Sequence, residues 1–263
     1  MCGTCGCDGA GPRLTPLGVP HHGADHHHHD HDHGLTGRRI VLEERVLGRN
    51  DALAARNRTD LAGRGVVAVN LMSSPGSGKT TLLERTVREL SARQCGAERR
   101  IAVVEGDQET LLDAERIRAT GCPVVQINTG EGCHLDAAML SRAVAELDPP
   151  AGSLLFVENV GNLVCPALFD LGETVRVVIM STPEGADKPA KYPHMFRTAD
   201  LVLINKVDLL PYVQFDPQRC AEAIRRVNPG ARVLLVSATS GTGLADWYSW
   251  LASLGAGPAS SGD

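Results

Sequence analysis

Residues 66–80 combine an apolar run with a glycine- and serine-rich turn that ends in Lys79 and Thr80. The β-branched residues before the turn predict a buried strand, and the helix-forming residues after it predict a helix. Gly76 and Gly78 would let backbone N–H groups close around a polyphosphate, to which the helix N-terminus adds its positive dipole end. Lys79 would then contact the β- and γ-phosphates, and the Thr80 hydroxyl would bind Mg²⁺. This stretch therefore predicts a nucleotide site.

Three neighbouring positions complete this predicted site or depart from its motif. Ser77 and Thr81 complete the loop residues expected to contact the nucleotide. Ser73 stands where the motif G-x-x-x-x-G-K-[ST] has its first glycine, so this position must tolerate the turn with a Cβ. A glycine-rich turn with an incidental Lys-Thr pair is the alternative, and it is disfavoured because a predicted strand and helix flank the loop.

A second motif, N-K-x-D, follows the apolar run 201–204 and comprises Asn205, Lys206 and Asp208. The carboxylate of Asp208 can accept hydrogen bonds from the N1–H and 2-amino groups of guanine, whereas adenine would leave it desolvated and unpaired. Asn205 and Lys206 would brace the loop and cover the base. The motif predicts a preference for GTP over ATP.

A third motif supports the same choice of base. The apolar run 232–236 continues into Ser237, Ala238 and Thr239. In GTPases a loop of this type supplies a backbone donor to guanine O6. Because the three motifs occur in the order that a GTPase requires, we expect Ser237 and Ala238 to contact the nucleotide.

The acidic groups for hydrolysis are expected at the ends of two other apolar runs. Glu158 ends one of them and is the candidate for supporting Mg²⁺, with Gly161 near the γ-phosphate. Asp107 follows the run 101–105 and would orient the attacking water or contact Mg²⁺, because ligands bind at the carboxyl ends of parallel strands. A helix N-cap is an equally good interpretation of Asp107. Lys79, Asp107 and Glu158 are the predicted catalytic residues.

Three cysteines near the start of the chain, Cys2, Cys5 and Cys7, form the pattern C-x-x-C-G-C. Thiolates this close in sequence can converge on one metal ion with little entropic cost of chain closure. With Met1 removed, the amine of Cys2 could add a fourth ligand. A square plane of thiolates and amine suits Ni²⁺, and tetrahedral thiolates suit Zn²⁺. A redox dithiol is the alternative, although no thioredoxin-like pattern surrounds it.

A histidine tract extends this metal-binding character. Eight of the ten histidines lie between His21 and His33, interleaved with aspartates. The tract suits several ions that bind imidazole and would serve storage or buffering. Because it can bury almost no apolar surface, we expect residues 1–37 to form a disordered metal-binding tail.

A further metal site is predicted inside the domain. Cys133 and His134 should lie at a strand-to-helix junction, and Cys165 follows the loop that should sense the γ-phosphate. Taken singly, each cysteine is more often a small buried apolar residue than a ligand. If the two loops are neighbours, a Cys/His/Cys site would be mechanically joined to the nucleotide. A second subunit could complete a tetrahedral Zn²⁺ site across a two-fold interface.

Composition predicts a single α/β domain with appendages. The 263 residues are 43% hydrophobic and 22% charged, which allows one sizeable core. A net charge of -5 predicts no nucleic-acid partner. No apolar run is long enough for a signal segment or membrane span, so we expect a cytoplasmic protein whose eight cysteines are free or metal-bound.

Short apolar runs alternate with helical stretches from residue 66 onwards, which predicts a mostly parallel sheet with helices on both faces. Apolar spacing over 40–61 predicts one or two additional helices. The predicted strands are 66–72, 101–105, 124–127, 153–158, 174–180, 201–204 and 232–236. The predicted helices are 79–93, 109–119, 134–146, 216–227 and 243–253. The predicted divisions are a tail over 1–37, a domain over 38–254 and a frayed end over 255–263.

The combined motifs resemble those of the nickel-incorporation GTPases of NiFe-hydrogenase maturation, the HypB family. They are C-x-x-C-G-C, the histidine tract, S-S-P-G-S-G-K-T-T, E-G-D-Q-E-T, G-E-G-C-H-L-D-A, E-N-V-G-N-L-V-C-P and N-K-V-D. The resemblance implies a P-loop NTPase fold of the signal-recognition/MinD-like class and slow GTP hydrolysis. It also implies GTP-promoted dimerisation and delivery of Ni²⁺ to a hydrogenase large-subunit precursor with a HypA-type partner.

Two other functions fit parts of the sequence. A nickel storage or buffering protein with a nucleotide switch domain would explain the histidine tract; loss of hydrogenase activity in nickel-replete cells after deletion of residues 1–37 would count against it. The related urease-type or cobalamin-type GTPases share the nucleotide motifs, but C-x-x-C-G-C is not expected in them.

Overall fold

The computed structural model describes residues 33–92, 99–107, 112–129 and 134–254, with side chains from residue 45 onwards except those of 107 and 112. Several predicted features therefore lie outside the described residues. They are the metal-binding residues Cys2, Cys5, Cys7 and Cys133, the histidine tract upstream of His33, the side chain of Asp107 and the C-terminal segment 255–263.

The described residues form a seven-stranded sheet in which every neighbouring pair of strands is parallel, which confirms the predicted α/β architecture. The strand order is β3-β2-β4-β1-β5-β6-β7. The strands are β1 (Val67–Ser73), β2 (Ile101–Asp107), β3 (Val124–Asn128), β4 (Leu154–Glu158), β5 (Val175–Ser181), β6 (Leu201–Asn205) and β7 (Arg232–Leu235).

Six longer helices accompany the sheet in the described residues. They are α1 (His33–Gly63), α2 (Lys79–Ala92), α3 (Leu112–Arg118), α4 (Ala137–Leu147), α8 (Pro217–Val227) and α9 (Leu244–Ser253). The sequence predicted one or two helices over 40–61, and the structure has one continuous helix there, α1. None of the described helices is long and apolar enough to cross a membrane.

Three short helices were not predicted from the sequence. They are α5 (Cys165–Leu168), α6 (Lys188–Lys191) and α7 (Pro193–Arg197), and each carries proline in its first turn. Proline fits there because its missing N–H is one of the donors that a helix start leaves unpaired. Two 3₁₀ segments, Thr182–Glu184 and Val207–Tyr212, follow β5 and β6.

The central strand β1 is buried along its whole length and contributes to the cores on both faces of the sheet. Val69 and Leu71 pack with residues of α2 and α9, including the fully buried Trp247. Ala68 faces the opposite side, where it packs with Leu140 of α4. Alternate side chains of one strand thus enter different cores, as expected for a parallel sheet covered on both faces.

Helix α1 is attached to the domain by two buried asparagines. The side chain of Asn57 donates to the carbonyls of Ala137 (2.8 Å) and Leu171 (2.9 Å). Asn50 donates to the carbonyl of Asp170 at 2.8 Å and accepts from the N–H of Ala137 at 2.9 Å. These bonds satisfy backbone groups that would otherwise be buried without partners. They fix the start of α4 relative to the loop that follows α5.

Candidate nucleotide-binding site

A cavity of about 500 Å³ opens at the carboxyl ends of β1, β2 and β4. Residues from β1, the phosphate loop and the first turn of α2 form one wall. The lining is completed by Glu105, Gly106, Asp113, Arg116, Glu158, Gly161 and Lys206. The cavity lies at the edge of the sheet where the sequence predicts the nucleotide site, since α/β sheets bind ligands at the carboxyl ends of parallel strands.

The phosphate loop adopts a backbone that depends on its glycines. Gly76 and Gly78 have φ values of +73° and +90°, in the left-handed region that favours glycine. A Cβ at Gly78 would lie 2.6 Å from the amide nitrogen of Asn205, so a side chain would displace that residue. Ser73 is the last residue of β1 and has no positive φ, which explains why this position accepts a Cβ.

Lys79 and Thr80 converge on one carboxylate, that of Glu158. The ammonium of Lys79 lies 2.5 Å from Glu158 Oε1, and the hydroxyl of Thr80 donates to the same oxygen at 2.6 Å. The Glu158 side chain is only 1% exposed, so both contacts form away from bulk water. The predicted residues of this part of the site therefore lie together.

A cluster of three carboxyl groups lies beside them. Carboxylate oxygens of Glu105, Asp113 and Glu158 all lie within 4.8 Å of one another, and Thr80 also donates to Asp113 Oδ2 at 3.1 Å. The Oε2 atoms of Glu105 and Glu158 are buried and have no hydrogen-bond partner among the described residues. Buried oxygens without donors, next to a hydroxyl, are the hard ligands that Mg²⁺ requires. Glu158 and Asp113, with the Thr80 hydroxyl, therefore form a donor set that fits this ion.

The sequence prediction missed Glu105 and Asp113. Glu105 lies opposite Glu158 in the parallel register of β2 and β4, and both residues end runs of buried apolar side chains. That shared pattern was the available signal. Asp107, chosen instead, is the last residue of β2, and its catalytic role stays a prediction because its side chain lies outside the described residues.

We expect Glu105 to make the stability of the domain depend on pH. Burial, followed by the negative charge of Glu158, raises the pKa of Glu105 from 4.5 to about 10. The folded state therefore holds a proton that the unfolded state releases above pH 4.5, so stability falls as the pH rises from there towards about 10.

We expect Glu105→Gln to remove this pH dependence. One retained proton corresponds to a loss of about 1.4 kcal/mol per pH unit in the free energy of unfolding. Urea unfolding between pH 6 and pH 9 should therefore show a stability advantage of the variant that grows with pH at about this rate. Glu115→Gln, an exposed change on α3, is the control. Parallel pH profiles for Glu105→Gln and the wild type would contradict the account.

Asn205 joins the N-K-x-D loop and the loop that contains Ala238 to the phosphate loop. Its amide nitrogen donates to the carbonyl of Ser77 at 2.9 Å, and its amide oxygen accepts from the N–H of Ala238 at 3.1 Å. The residue is 1% exposed. It therefore braces the loop, as the sequence predicted.

Lys206 and Asp208 are held in the same loop. Lys206 has a φ of +62°, and its ammonium donates to the carbonyl of Gly76 at 2.6 Å. Its own carbonyl accepts from the Thr182 hydroxyl at 2.8 Å, which stabilises the unusual backbone. The Ser237 hydroxyl donates to Asp208 Oδ1 at 2.5 Å. The structure thus brings the N-K-x-D loop and the loop that contains Ser237 together.

The structure also packs His134 against Phe169, the residue that follows the short helix α5. The His134 ring stacks on Phe169 with a centroid separation of 3.9 Å, and Phe169 directly follows α5, which begins at the buried Cys165. Burial lowers the pKa of His134, against the opposing effect of Asp136, which favours the neutral imidazole that metals bind. Because Cys133 lies outside the described residues, the Cys/His/Cys metal site stays a prediction.

Comparison with known proteins identifies the family. The family model described as the CobW/HypB/UreG nucleotide-binding domain matches residues 67–235. The hydrogenase maturation factor HypB of Azotobacter vinelandii is 55% identical over 219 residues, which cover 83% of this chain and 71% of that protein. This chain belongs to the HypB family. HypB of Escherichia coli strain K12 is 51% identical over 244 residues, covering 91% of this chain and 81% of that protein.

Solved HypB structures share the fold. HypB from Archaeoglobus fulgidus has a TM-score of 0.70 and 41% identity, covering 78% of this chain and 98% of that chain. HypB from Helicobacter pylori, solved in complex with nickel, has a TM-score of 0.70 and 38% identity, covering 78% and 94%. These likenesses confirm the family resemblance and the P-loop NTPase fold predicted from the motifs.

Proposed function

We propose that this protein hydrolyses GTP to GDP and phosphate and uses the cycle to deliver Ni²⁺ to the large-subunit precursor of a NiFe hydrogenase in the cytoplasm. The convergence of Lys79 and Thr80 on Glu158, next to a braced N-K-x-D loop, carries the nucleotide part of this proposal. Membership of a family of hydrogenase maturation factors, one of them solved with nickel, supports the rest.

Hydrolysis would depend mainly on the placement of charge around the phosphates. Lys79 would bind the β- and γ-phosphates, and backbone N–H groups of the phosphate loop would hold their oxygens. Thr80 and Glu158, with Asp113 beside them, would hold Mg²⁺, which supplies positive charge to the phosphate oxygens when bound. Asp107 would orient the attacking water.

The loop after β4 would respond to the γ-phosphate. A Cβ at Gly161 would lie 3.3 Å from the Cα of Pro75, so the two loops touch and a side chain would crowd them. Movement of this loop with the nucleotide would therefore change its packing against the phosphate loop.

A buried asparagine connects the nucleotide site to the proposed domain metal site. Asn159 follows Glu158 directly, and its side-chain oxygen accepts from the backbone N–H of Leu135 at 3.3 Å. Leu135 in turn follows His134. One hydrogen bond thus joins the residue next to Glu158 to the residue next to His134, which supports coupling between the two proposed sites.

Nickel is the proposed cargo of two sites. Cys2, Cys5 and Cys7 would bind Ni²⁺ in the tail, and Cys133, His134 and Cys165 would bind Ni²⁺ or Zn²⁺ in the domain. A GTP-promoted homodimer would complete the domain site with ligands from both subunits, and GTP hydrolysis would loosen it. A HypA-type chaperone would then assist transfer to the precursor.

We expect Cys165→Ala to abolish the coupling between nucleotide and metal without abolishing GTP binding. Removal of one thiolate breaks the domain site, whereas Cys165 is absent from the lining of the nucleotide cavity. Nickel affinity and sedimentation mass are measured with a non-hydrolysable GTP analogue and with GDP. In the wild type both quantities should differ between the two nucleotides, whereas in the variant they should be the same. By reciprocity, GTP that favours the dimer must also change metal binding.

Two further variants sharpen this experiment. Cys133→Ala should behave like Cys165→Ala. Cys220→Ala is the matched control, because Cys220 is buried beside Met180 in an apolar core and is also absent from the lining of the nucleotide cavity. If the wild type remains a monomer with identical nickel affinity in both nucleotide states, the coupling idea is wrong.

The nucleotide part of the proposal is tested by phosphate release from the purified protein with Mg²⁺. We expect hydrolysis of GTP to exceed that of ATP at equal subsaturating concentrations by about a hundredfold, the discrimination that a site pairing with one base can reach. Equal rates for the two nucleotides would contradict the assignment.

A further inference from the structure

Arg85 lies on α2, the helix that begins at the phosphate loop, and its guanidinium contacts the loop that follows β7. Its Nη1 donates to two successive backbone carbonyls, those of Ala238 at 2.9 Å and Thr239 at 2.8 Å. These residues belong to the loop expected to face guanine O6. Arg85 therefore connects the phosphate helix directly to the base loop.

The orientation of Arg85 is fixed from two further sides. Its Nε pairs with Glu89 Oε1 at 2.7 Å, one turn along the same helix. Gly241 has a φ of +89°, and a Cβ there would lie 2.6 Å from Arg85 Nη2. The guanidinium thus packs closely against the backbone at Gly241, in space that a side chain would occupy.

A chain of hydrogen bonds leads from Arg85 to the base-selecting carboxylate. In a trans peptide the C=O and N–H groups point in opposite directions. The carbonyl of Thr239 faces Arg85, so the N–H of Ser240 points away from it and donates to the Ser237 hydroxyl oxygen at 3.0 Å. That hydroxyl donates to Asp208 Oδ1 at 2.5 Å. A change in the orientation of the peptide group between Thr239 and Ser240 would therefore change the position of the Asp208 carboxylate.

We propose that Arg85 is a positioning residue for guanine specificity, which orients the loop 237–240 and through it Asp208. This inference rests on the proposed use of GTP. Arg85 acts through the loop and is no catalytic residue. Without its two donated bonds, the loop keeps its contact with Asn205 and its apolar packing on α2 but loses these hydrogen bonds to α2. Recognition of the base would then weaken, whereas binding of the phosphates would persist.

The test measures dissociation constants of GTP, ITP and ATP by competition against a fluorescent GDP analogue. GTP and ITP share O6 and N1–H, and ATP lacks both, so ATP reports phosphate binding. In Arg85→Ala we expect GTP and ITP to bind about tenfold more weakly, because one to two hydrogen bonds to a charged group are lost. The affinity for ATP should stay unchanged. Arg85→Lys should restore part of the preference, because it retains a charged donor without the planar fork.

Arg88→Ala is the matched control, since it removes the same charge from the same helix. Arg88 is 66% exposed and pairs only with Glu84 among the contacts of the described residues. It should leave the ratio of GTP to ATP affinity unchanged, and urea midpoints of all variants establish that they are folded. Equal weakening of GTP and ATP in Arg85→Ala, or no change in either, would overturn the inference. A wild-type protein without preference for GTP would overturn the proposed function as well.

Discussion

Replacement of Lys79 by alanine should lower the rate of GTP hydrolysis by about a thousandfold, because positioned cations supply much of the stabilisation of phosphoryl transfer. The Lys79 side chain is 10% exposed, so its charge acts where water screens it little. Single-turnover phosphate release with saturating GTP measures the effect. Thr80→Ala should also lower the rate of GTP hydrolysis, since it removes the hydroxyl beside Glu158.

The control for charge is Lys191→Ala. Lys191 is 64% exposed and pairs with the equally accessible Asp187 on the surface, so we expect its rate to match the wild type. Nickel binding by the tail should persist in Lys79→Ala, because the proposed tail site uses other residues. Normal hydrolysis in Lys79→Ala would refute the phosphate assignment, and parallel loss of tail nickel would show that the two sites are not separable.

Replacement of Asp208 by asparagine should weaken GTP binding by roughly a hundredfold, as expected for loss of a charge-assisted bidentate contact of on the order of 3 kcal/mol. Asparagine presents an N–H₂ group where guanine offers its own donors. Xanthine carries an oxygen in place of the 2-amino group, so the variant should prefer xanthosine triphosphate. Competition binding with the two nucleotides measures the exchange of preference.

Asp51→Asn is the control for Asp208→Asn, because Asp51 is exposed on α1 and lies outside the N-K-x-D motif. The structure also indicates that the substitution should not disturb the loop. Ser237 donates to Asp208, and an asparagine oxygen can still accept that bond, so the loop should keep its conformation. Unchanged GTP affinity in Asp208→Asn would exclude Asp208 as the residue that selects the base.

Most of the sheet could be predicted because its strands are continuous apolar runs. Buried parallel strands need no polar face, so runs such as Leu201–Asn205 are recognisable in the sequence and bounded by polar residues. Helix α1 was harder to predict. Its attachment uses Asn50 and Asn57, whose partners lie 80 or more residues away, and no local pattern reveals such bonds.

In the site, too, residues close together in the sequence could be predicted, whereas residues brought together only by the fold could not. Gly76, Gly78, Lys79 and Thr80 are adjacent in the chain, and their spacing alone indicates phosphate chemistry. The carboxyl cluster depends on the register of β2 against β4, which the sequence does not specify. Asp107 was therefore chosen where Glu105 and Asp113 line the cavity.

Arg85 illustrates a further limit of prediction from sequence. Its helical spacing marks it as one of several charged residues on α2, and Arg88 looks equivalent in the sequence. Only the fold places one of them against the carbonyls of Ala238 and Thr239, more than 150 residues away. Residues that position a loop from a distant element have no motif, because their role depends on tertiary contacts alone.

Transfer of radioactive nickel from the purified protein to a hydrogenase large-subunit precursor, with a HypA-type partner present, tests the central claim most directly. The account predicts that GTP promotes the appearance of nickel in the precursor. A non-hydrolysable GTP analogue and the Lys79→Ala variant should both leave nickel on the donor protein. Equal transfer with GTP, with the analogue and without nucleotide would contradict the proposed coupling of GTP hydrolysis to nickel delivery.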